Sequence, residues 1–201
     1  MKVEVRRLGR IDFDPAWDLQ RRLALEVTPE RGFLLLLEHS PVFTLGKNGN
    51  AANLLSPGDI PVRRIDRGGD VTYHGPGQLV GYPLLDVRRL GIRRLVESLE
   101  ASIVDLLAAL GVPAAPRPGC VGVWASRGKI ASLGIRVSRG VSMHGFALNV
   151  GSDLAPFSRI NPCGVPGCAM SSVSLELGRE VPVEEAAGRF RLRFAGGMLT
   201  S

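Results

Sequence analysis

Cysteine and lysine are among the scarce residues of this 201-residue chain, three of each. Three cysteines, an odd number, do not suggest a disulfide framework. Cys163 and Cys168 stand five apart, without the paired C-x2-C spacing of a structural zinc site, and His39, His74 and His144 are scattered, so no metal is expected. Long apolar runs are missing too. None exceeds the five residues of Phe33–Leu37, far short of the roughly 20 that span a bilayer, which argues against a membrane protein. The opening "MKVEVRRLGR" has no apolar core of a secretory signal. The expected compartment is therefore cytoplasmic, where thiols stay reduced. Aromatics make up only 5% of the chain and no basic-aromatic motif is visible, so nucleic acid is not an expected partner despite a net charge of +6.

What is present is arginine. Lys2, Lys47 and Lys129 are the only lysines among 25 basic residues, which leaves 22 arginines. Such a surface suits electrostatic attraction to an acidic partner, and Arg88, Arg89, Arg93 and Arg94 form one candidate patch. A hydrophobic fraction of 45% with 22% charged residues describes a folded globular chain. The length suits one core of ordinary size: a single domain over 1–201, within which the segment from about 160 could form a small subdomain.

Periodicity supplies the elements. "VEV" alternates like a short strand, and "GFLLLLE" reads as a buried one. Asp14 and Pro15 suggest the start of a helix whose face carries Ala16, Leu19, Leu23 and Val27. Apolar residues three and four apart from Ile92 to Leu110 predict a long helix, stopped by Gly111 and Pro113. From Cys120 to Val150 the pattern predicts three consecutive strands, the last with His144, Phe146, Leu148 and Val150 on one face. A final helix is expected from near Pro182, with Val183, Ala187, Phe190 and Phe194 along one side. Strands interrupted by a few helices indicate an α+β (mixed α/β) fold, helices against a largely antiparallel sheet.

Nucleotide motifs fail inspection. "GPGQLVG" misses G-x-G-x-x-G, "GVWASRGKI" lacks both the glycine spacing and the Ser/Thr of a P-loop, and "GVSMH" is no nucleophile elbow. Three other segments carry chemistry. "RGGDVTYHGPGQLVGY", Arg67 to Tyr82, is either a hairpin with a bonded histidine or a loop whose N–H groups face a ligand carbonyl. "GKIASLGIRV" holds Lys129. It is either a surface residue after a turn or, in a chain this biased to arginine, a residue chosen because lysine can give up its proton. "INPCG" puts Cys163 at a rigid bend, as a turn residue or as a nucleophile in need of a nearby base or cation.

Together these segments, in this order, closely resemble the lipoyl(octanoyl) transferase family over roughly Val3 to Leu177. The family pattern R-G-G-x-x-T-[aromatic]-H-x-P-G-Q…Y is matched throughout Arg67 to Tyr82. The resemblance implies the fold shared by biotin protein ligases and lipoate ligases, a mixed β-sheet flanked by helices, and no cofactor. It implies that Cys163 accepts the acyl group and that Lys129 activates the thiol and shuttles its proton. It further implies that Arg67, Gly68, Gly69, Asp70, Val71, Thr72, Tyr73 and His74, with Ser132, Leu133, Gly134, Gly145, Phe146 and Ala147, line the acyl substrate. The implied donor is octanoyl-acyl carrier protein. The implied acceptors are lipoyl domains of 2-oxoacid dehydrogenases and the glycine cleavage H protein. Backbone N–H groups near Gly68–Gly69, or around the lysine strand, are the expected oxyanion donors.

Overall fold

The computed structural model describes residues 1–194 and 197–199. The first half contains β1 (Lys2–Ile11), α1 (Phe13–Ala24), β2 (Arg31–His39), β3 (Val42–Leu45), β4 (Val62–Arg64), β5 (Val71–His74), β6 (Gln78–Leu84) and α2 (Ile92–Leu110). The second contains β7 (Ala115–Arg117), β8 (Cys120–Trp124), β9 (Lys129–Ser138), β10 (Val141–Asn149), α3 (Val173–Leu177), α4 (Val183–Arg189), β11 (Leu192–Phe194) and β12 (Gly197–Leu199). Seven strands make the main sheet in the order β1-β2-β6-β10-β9-β8-β7, and β4-β3-β5 make a smaller one. Only β1 and β2 run parallel in the main sheet; its other neighbours are antiparallel. The α+β architecture expected from the sequence, a mixed sheet flanked by helices, is the one observed.

The "FLLLL" run is apolar on every residue because β2 is covered on both faces. Phe33, Leu35 and Leu37 pack with Ala16 and Leu23 of α1 and with Val80 and Tyr82. Leu34 and Leu36 face the opposite way, into the cluster of Leu95, Leu99, Ile103 and Leu107 along α2. α2 occupies the predicted residues, and Gly111 closes it in a left-handed conformation with N–H bonds to Ala108 and Leu107 carbonyls. Val173, Val181, Val183, Ala186 and Phe190 insert into this same cluster. Residues 195, 196, 200 and 201, the end of the C-terminal segment, lie outside the described residues.

Three local expectations are corrected. α1 begins two residues earlier than expected, with Asp12 rather than Asp14 at its N-cap, because the Asp12 carbonyl already accepts from Ala16 N–H; Pro15 is tolerated in the first turn, where N–H groups lack helical partners. Asp14 instead pairs with Arg63 at 3.0 Å. The last helix stops at Arg189, because Phe190 turns extended and β11 then pairs with β12; Phe194, expected on the helix, is a strand residue. His144 does not share the face of Phe146 and Leu148. Its φ of 57° turns the ring to the α1 side, 6.1 Å from Trp17 and 6.2 Å from Tyr82, while its N–H donates to Gln20 Oε1 at 2.8 Å.

Candidate active site

Cys163 and Lys129 meet because the segment following the cysteine pairs with the start of β9. Lys129 N–H donates to the Ala169 carbonyl at 2.8 Å, and Ser171 N–H donates to the Lys129 carbonyl at 2.9 Å. These bonds form a parallel bridge between Lys129 and Met170, while Trp124 of β8 pairs with Lys129 on the other edge. With its backbone pinned on both sides, Lys129 directs Nζ to Cys163 Sγ at 3.0 Å and to the Val121 carbonyl at 2.9 Å. The lysine is only 3% exposed, whereas Cys163 is exposed. The Trp124 ring centroid, 4.9 Å from Nζ, screens the amine from water. Gly122 leaves it room: at φ +132°, a Cβ there would stand 2.6 Å from Lys129 Cε and 3.2 Å from Nζ.

The cysteine sits in the tight turn Pro162–Gly164, with φ 58°, a left-handed conformation that disfavours side chains. Cys120 and Cys168 are also free thiols, and burial pushes the Cys168 thiol up.

Beside the lysine–cysteine pair opens a cavity of about 470 Å³, measured out to its mouth. Of the residues expected to line the substrate, Arg67, Gly69, Asp70, Val71, Thr72, His74, Ser132, Leu133, Gly134, Gly145, Phe146 and Ala147 border it, as does Cys163. Gly68 and Tyr73 do not. Gly68 spends its N–H on the Ile135 carbonyl at 3.1 Å, and Tyr73 turns its ring between Phe43 and Phe157, at 5.5 and 5.6 Å. The expected oxyanion donors are corrected in part: the N–H groups of Gly68 and Lys129 are both occupied by carbonyls. Phe13, Ile65, Tyr82 and His144 complete the wall. Ile65 and Phe13 had no sequence signal, since they approach from a separate strand connection and a helix start.

Arg67 is the cation of this wall. Its guanidinium passes over Gly134, where a Cβ would stand 2.8 Å from Arg67 Cδ, and donates to the Thr44 carbonyl at 2.8 Å and the Gly68 carbonyl at 2.9 Å. Burial lowers its pKa to about 10, so it remains charged at neutral pH, with Cys163 among the groups that oppose the shift. Arg67 Nε and Thr72 Oγ1 are buried without a hydrogen-bond partner.

The histidines are neutral. His74 bonds Gln78 Oε1 through Nδ1 at 2.8 Å, and Gln78 continues to Asn149 at 2.9 Å, whose amide reaches the Ser171 carbonyl at 3.0 Å. This relay ties the glycine-rich segment to the strand bridge beside Lys129. His39 bonds the Tyr82 hydroxyl at 2.7 Å, and His144 bonds Asp66 at 2.8 Å. Burial is the main cause that draws the pKa of His39 to about 4 and those of His74 and His144 to about 3. An unfolded histidine takes up its proton near its ordinary value, 6.5, but these folded ones do so only far below it. Acidification below 6.5 therefore favours the unfolded chain, with a loss on the order of 2 kcal/mol per histidine by pH 5. Over three histidines the thermal midpoint is expected to fall by roughly 12 to 24 °C between pH 7 and 5. A flat midpoint across that window would contradict neutral burial of all three rings.

The arginine patch suggested by the sequence is exposed, but not all of it is free. Arg88 pairs with Asp86, and Arg93 pairs with Glu97 at 2.9 Å. Among the described residues, Arg89 and Arg94 have no ion pair. Sequence reasoning missed Gly122 and Trp124 around the lysine, and Asn53 behind the cysteine turn. Nothing in "NAANLL" signals a role for Asn53; only the fold places it there.

Comparison with known proteins fits this geometry. The family described as the lipoyl protein ligase A/B catalytic domain matches residues 12–195. An octanoyltransferase of Geotalea uraniireducens is 51% identical over 193 residues, covering 94% of this chain and 90% of the relative. One from Azotobacter vinelandii is 53% identical over 196 residues, covering 95% and 88%. Among solved structures, lipoate-protein ligase A bound with ATP superposes with a TM-score of 0.79 at 16% identity, over 94% of this chain and 82% of the other. Biotin protein ligase from Aquifex aeolicus gives 0.57 at 13% identity, over 94% and 65%. At such identities the solved structures speak for the fold alone.

Proposed function

The chain belongs to the family of lipoyl protein ligase A/B catalytic domains and is an acyltransferase, and we propose that it moves an octanoyl group to lipoyl domains through a thioester on Cys163. The observation that carries this reading is the 3.0 Å contact between Lys129 Nζ and Cys163 Sγ at the edge of a largely apolar cavity. Lys129 takes the thiol proton, and the thiolate attacks the octanoyl thioester of acyl carrier protein. Lys129 then returns a proton to the departing pantetheine thiol. Exchanging one thioester for another keeps the acyl group activated, so this step needs no ATP. The amine of an acceptor lysine, on a lipoyl domain of a 2-oxoacid dehydrogenase or on the glycine cleavage H protein, next attacks the acyl carbon. Lys129 takes the proton that the amine sheds and passes it to the departing Cys163 sulfur, so an amide forms and the thiol is restored.

Val71, Leu133 and Phe146 supply apolar wall for the chain of the substrate. Arg67 Nε and Thr72 Oγ1, both without partners, are the groups offered to its polar end. Net positive charge favours an acidic carrier protein, with Arg89 and Arg94 the unpaired cations of the exposed patch, and a cytoplasmic setting keeps the thiol reduced. Among the described residues no helix is long and apolar enough to cross a membrane.

The test is transfer from octanoyl-acyl carrier protein to a purified lipoyl domain without ATP, followed by intact mass. An octanoylated domain, with a transient octanoyl adduct on the enzyme, is expected. Modification only from free octanoate plus ATP would assign the chain to ligase chemistry on the same fold.

A further inference from the structure

Cys163 holds a left-handed backbone that a non-glycine residue keeps only where its surroundings impose it. The imposing contacts begin at Asn161, two residues before the thiol. Its N–H donates to the Asn53 carbonyl at 2.8 Å, and its side-chain Nδ2 donates to Asn53 Oδ1 at 3.2 Å. Asn53 in turn donates Nδ2 to Asp70 Oδ2 at 2.8 Å. The Asp70 carboxylate is fixed by Val71 N–H on Oδ1 at 2.7 Å and by Asn50 N–H on Oδ2 at 3.3 Å. Asp70 borders the cavity, yet both of its oxygens are engaged in this relay. One amide thus joins the substrate loop to the nucleophile's turn, accepting from one side and donating to the other.

We propose that Asn53 is a positioning residue, tying Asp70 to Asn161 so that Cys163 Sγ stays within reach of Lys129 Nζ. The inference rests on Cys163 being the acyl acceptor. Asn53 touches neither the thiol nor the cavity and acts through the turn. Released from the tie, the turn relaxes toward ordinary backbone angles and carries the sulfur away from the amine. Displacements of about 1 Å at a reacting centre cost on the order of 100-fold in rate.

The test is a reciprocal exchange, read as single-turnover acylation of Cys163 by octanoyl-pantetheine with intact mass. Asn53→Asp removes the amide donor and sets a carboxylate against Asp70; Asp70→Asn turns one of the two accepting oxygens into a donor, so the side chain can no longer accept from both Val71 and Asn53. Each is expected to slow acylation about 10- to 100-fold with little change in the half-saturating thioester concentration. In the double variant the new amide at position 70 can donate to the new carboxylate at 53, which still accepts from Asn161. The double variant should regain about tenfold or more over the slower single, a rescue that general loosening of the fold would not produce. Single variants that acylate at the wild-type rate overturn the proposal, and so does a double variant no faster than the slower single. If a single variant melts below the assay temperature, Asn161→Ala replaces it. A slowing of about tenfold is then expected, and a wild-type rate counts against the proposal. Failure of the underlying reading looks different: the wild-type enzyme itself gains no octanoyl group on Cys163.

Discussion

Cys163→Ala is expected to lose the octanoyl adduct entirely and to reduce transfer by roughly 10⁴-fold or more, the scale seen when a covalent nucleophile is removed. The argument rests on the surroundings of the three thiols. Cys163 is exposed, faces the cavity and accepts a hydrogen bond from Lys129 Nζ. Cys168 is partly covered, burial pushes its thiol up, and its Sγ reaches only the neighbouring Ala169 carbonyl at 3.9 Å. Cys120 is exposed on β8 but does not border the cavity. Neither is placed to take over the acyl group. Peptide mapping after exposure to an octanoyl thioester should therefore find the label on Cys163 alone. Cys163→Ser should be nearly as inactive, since it keeps an oxygen near the sulfur position but offers a far less readily ionised nucleophile. Label that persists on either variant, at Cys120 or Cys168, would remove Cys163 from the mechanism.

What the sequence disclosed and what it hid follow a physical division. The helix from Ile92 to Leu110 was legible because its apolar stripe packs against one face of a sheet, and Gly111 needs the left-handed cap that glycine allows. The three strands from β8 to β10 were legible because their turns carry Ser-Arg-Gly sequences between alternating runs. The helix expected to reach Phe194 was not, because a short strand pairing overrides a helical spacing at its end. His144 was placed on the wrong face because one positive φ reverses a strand's alternation, and period-two reasoning cannot see it. At the site, residue types announced the cysteine and the lysine, but nothing in their spacing brought them together. Their meeting depends on the bridge between Lys129 and Met170, a pairing across 41 residues of which local pattern carries no trace. Asn53 and Gly122 were silent for the same reason: each matters only for what the fold sets beside it.

Lys129→Arg separates two roles that the geometry alone allows the lysine. If it serves only as a cation that favours the thiolate, arginine preserves the charge and adduct formation should survive. If it must accept the thiol proton and hand it on, arginine cannot substitute, because guanidinium does not give up its proton near neutral pH. The second outcome is expected, with acylation and transfer both falling by roughly 10²- to 10⁴-fold. The pocket adds a steric reason. Gly122 and the Trp124 ring leave space fitted to a slim amine, and Nζ already donates to the Val121 carbonyl. A planar guanidinium does not fit that space without displacing the strand end. Lys129→Met, close in length and free of charge, resolves the steric contribution. If methionine and arginine are equally slow while both variants melt near the wild-type temperature, proton transfer is the function lost. If arginine retains most of the acylation rate and methionine does not, Lys129 is an electrostatic partner of Cys163 and the proton has another acceptor.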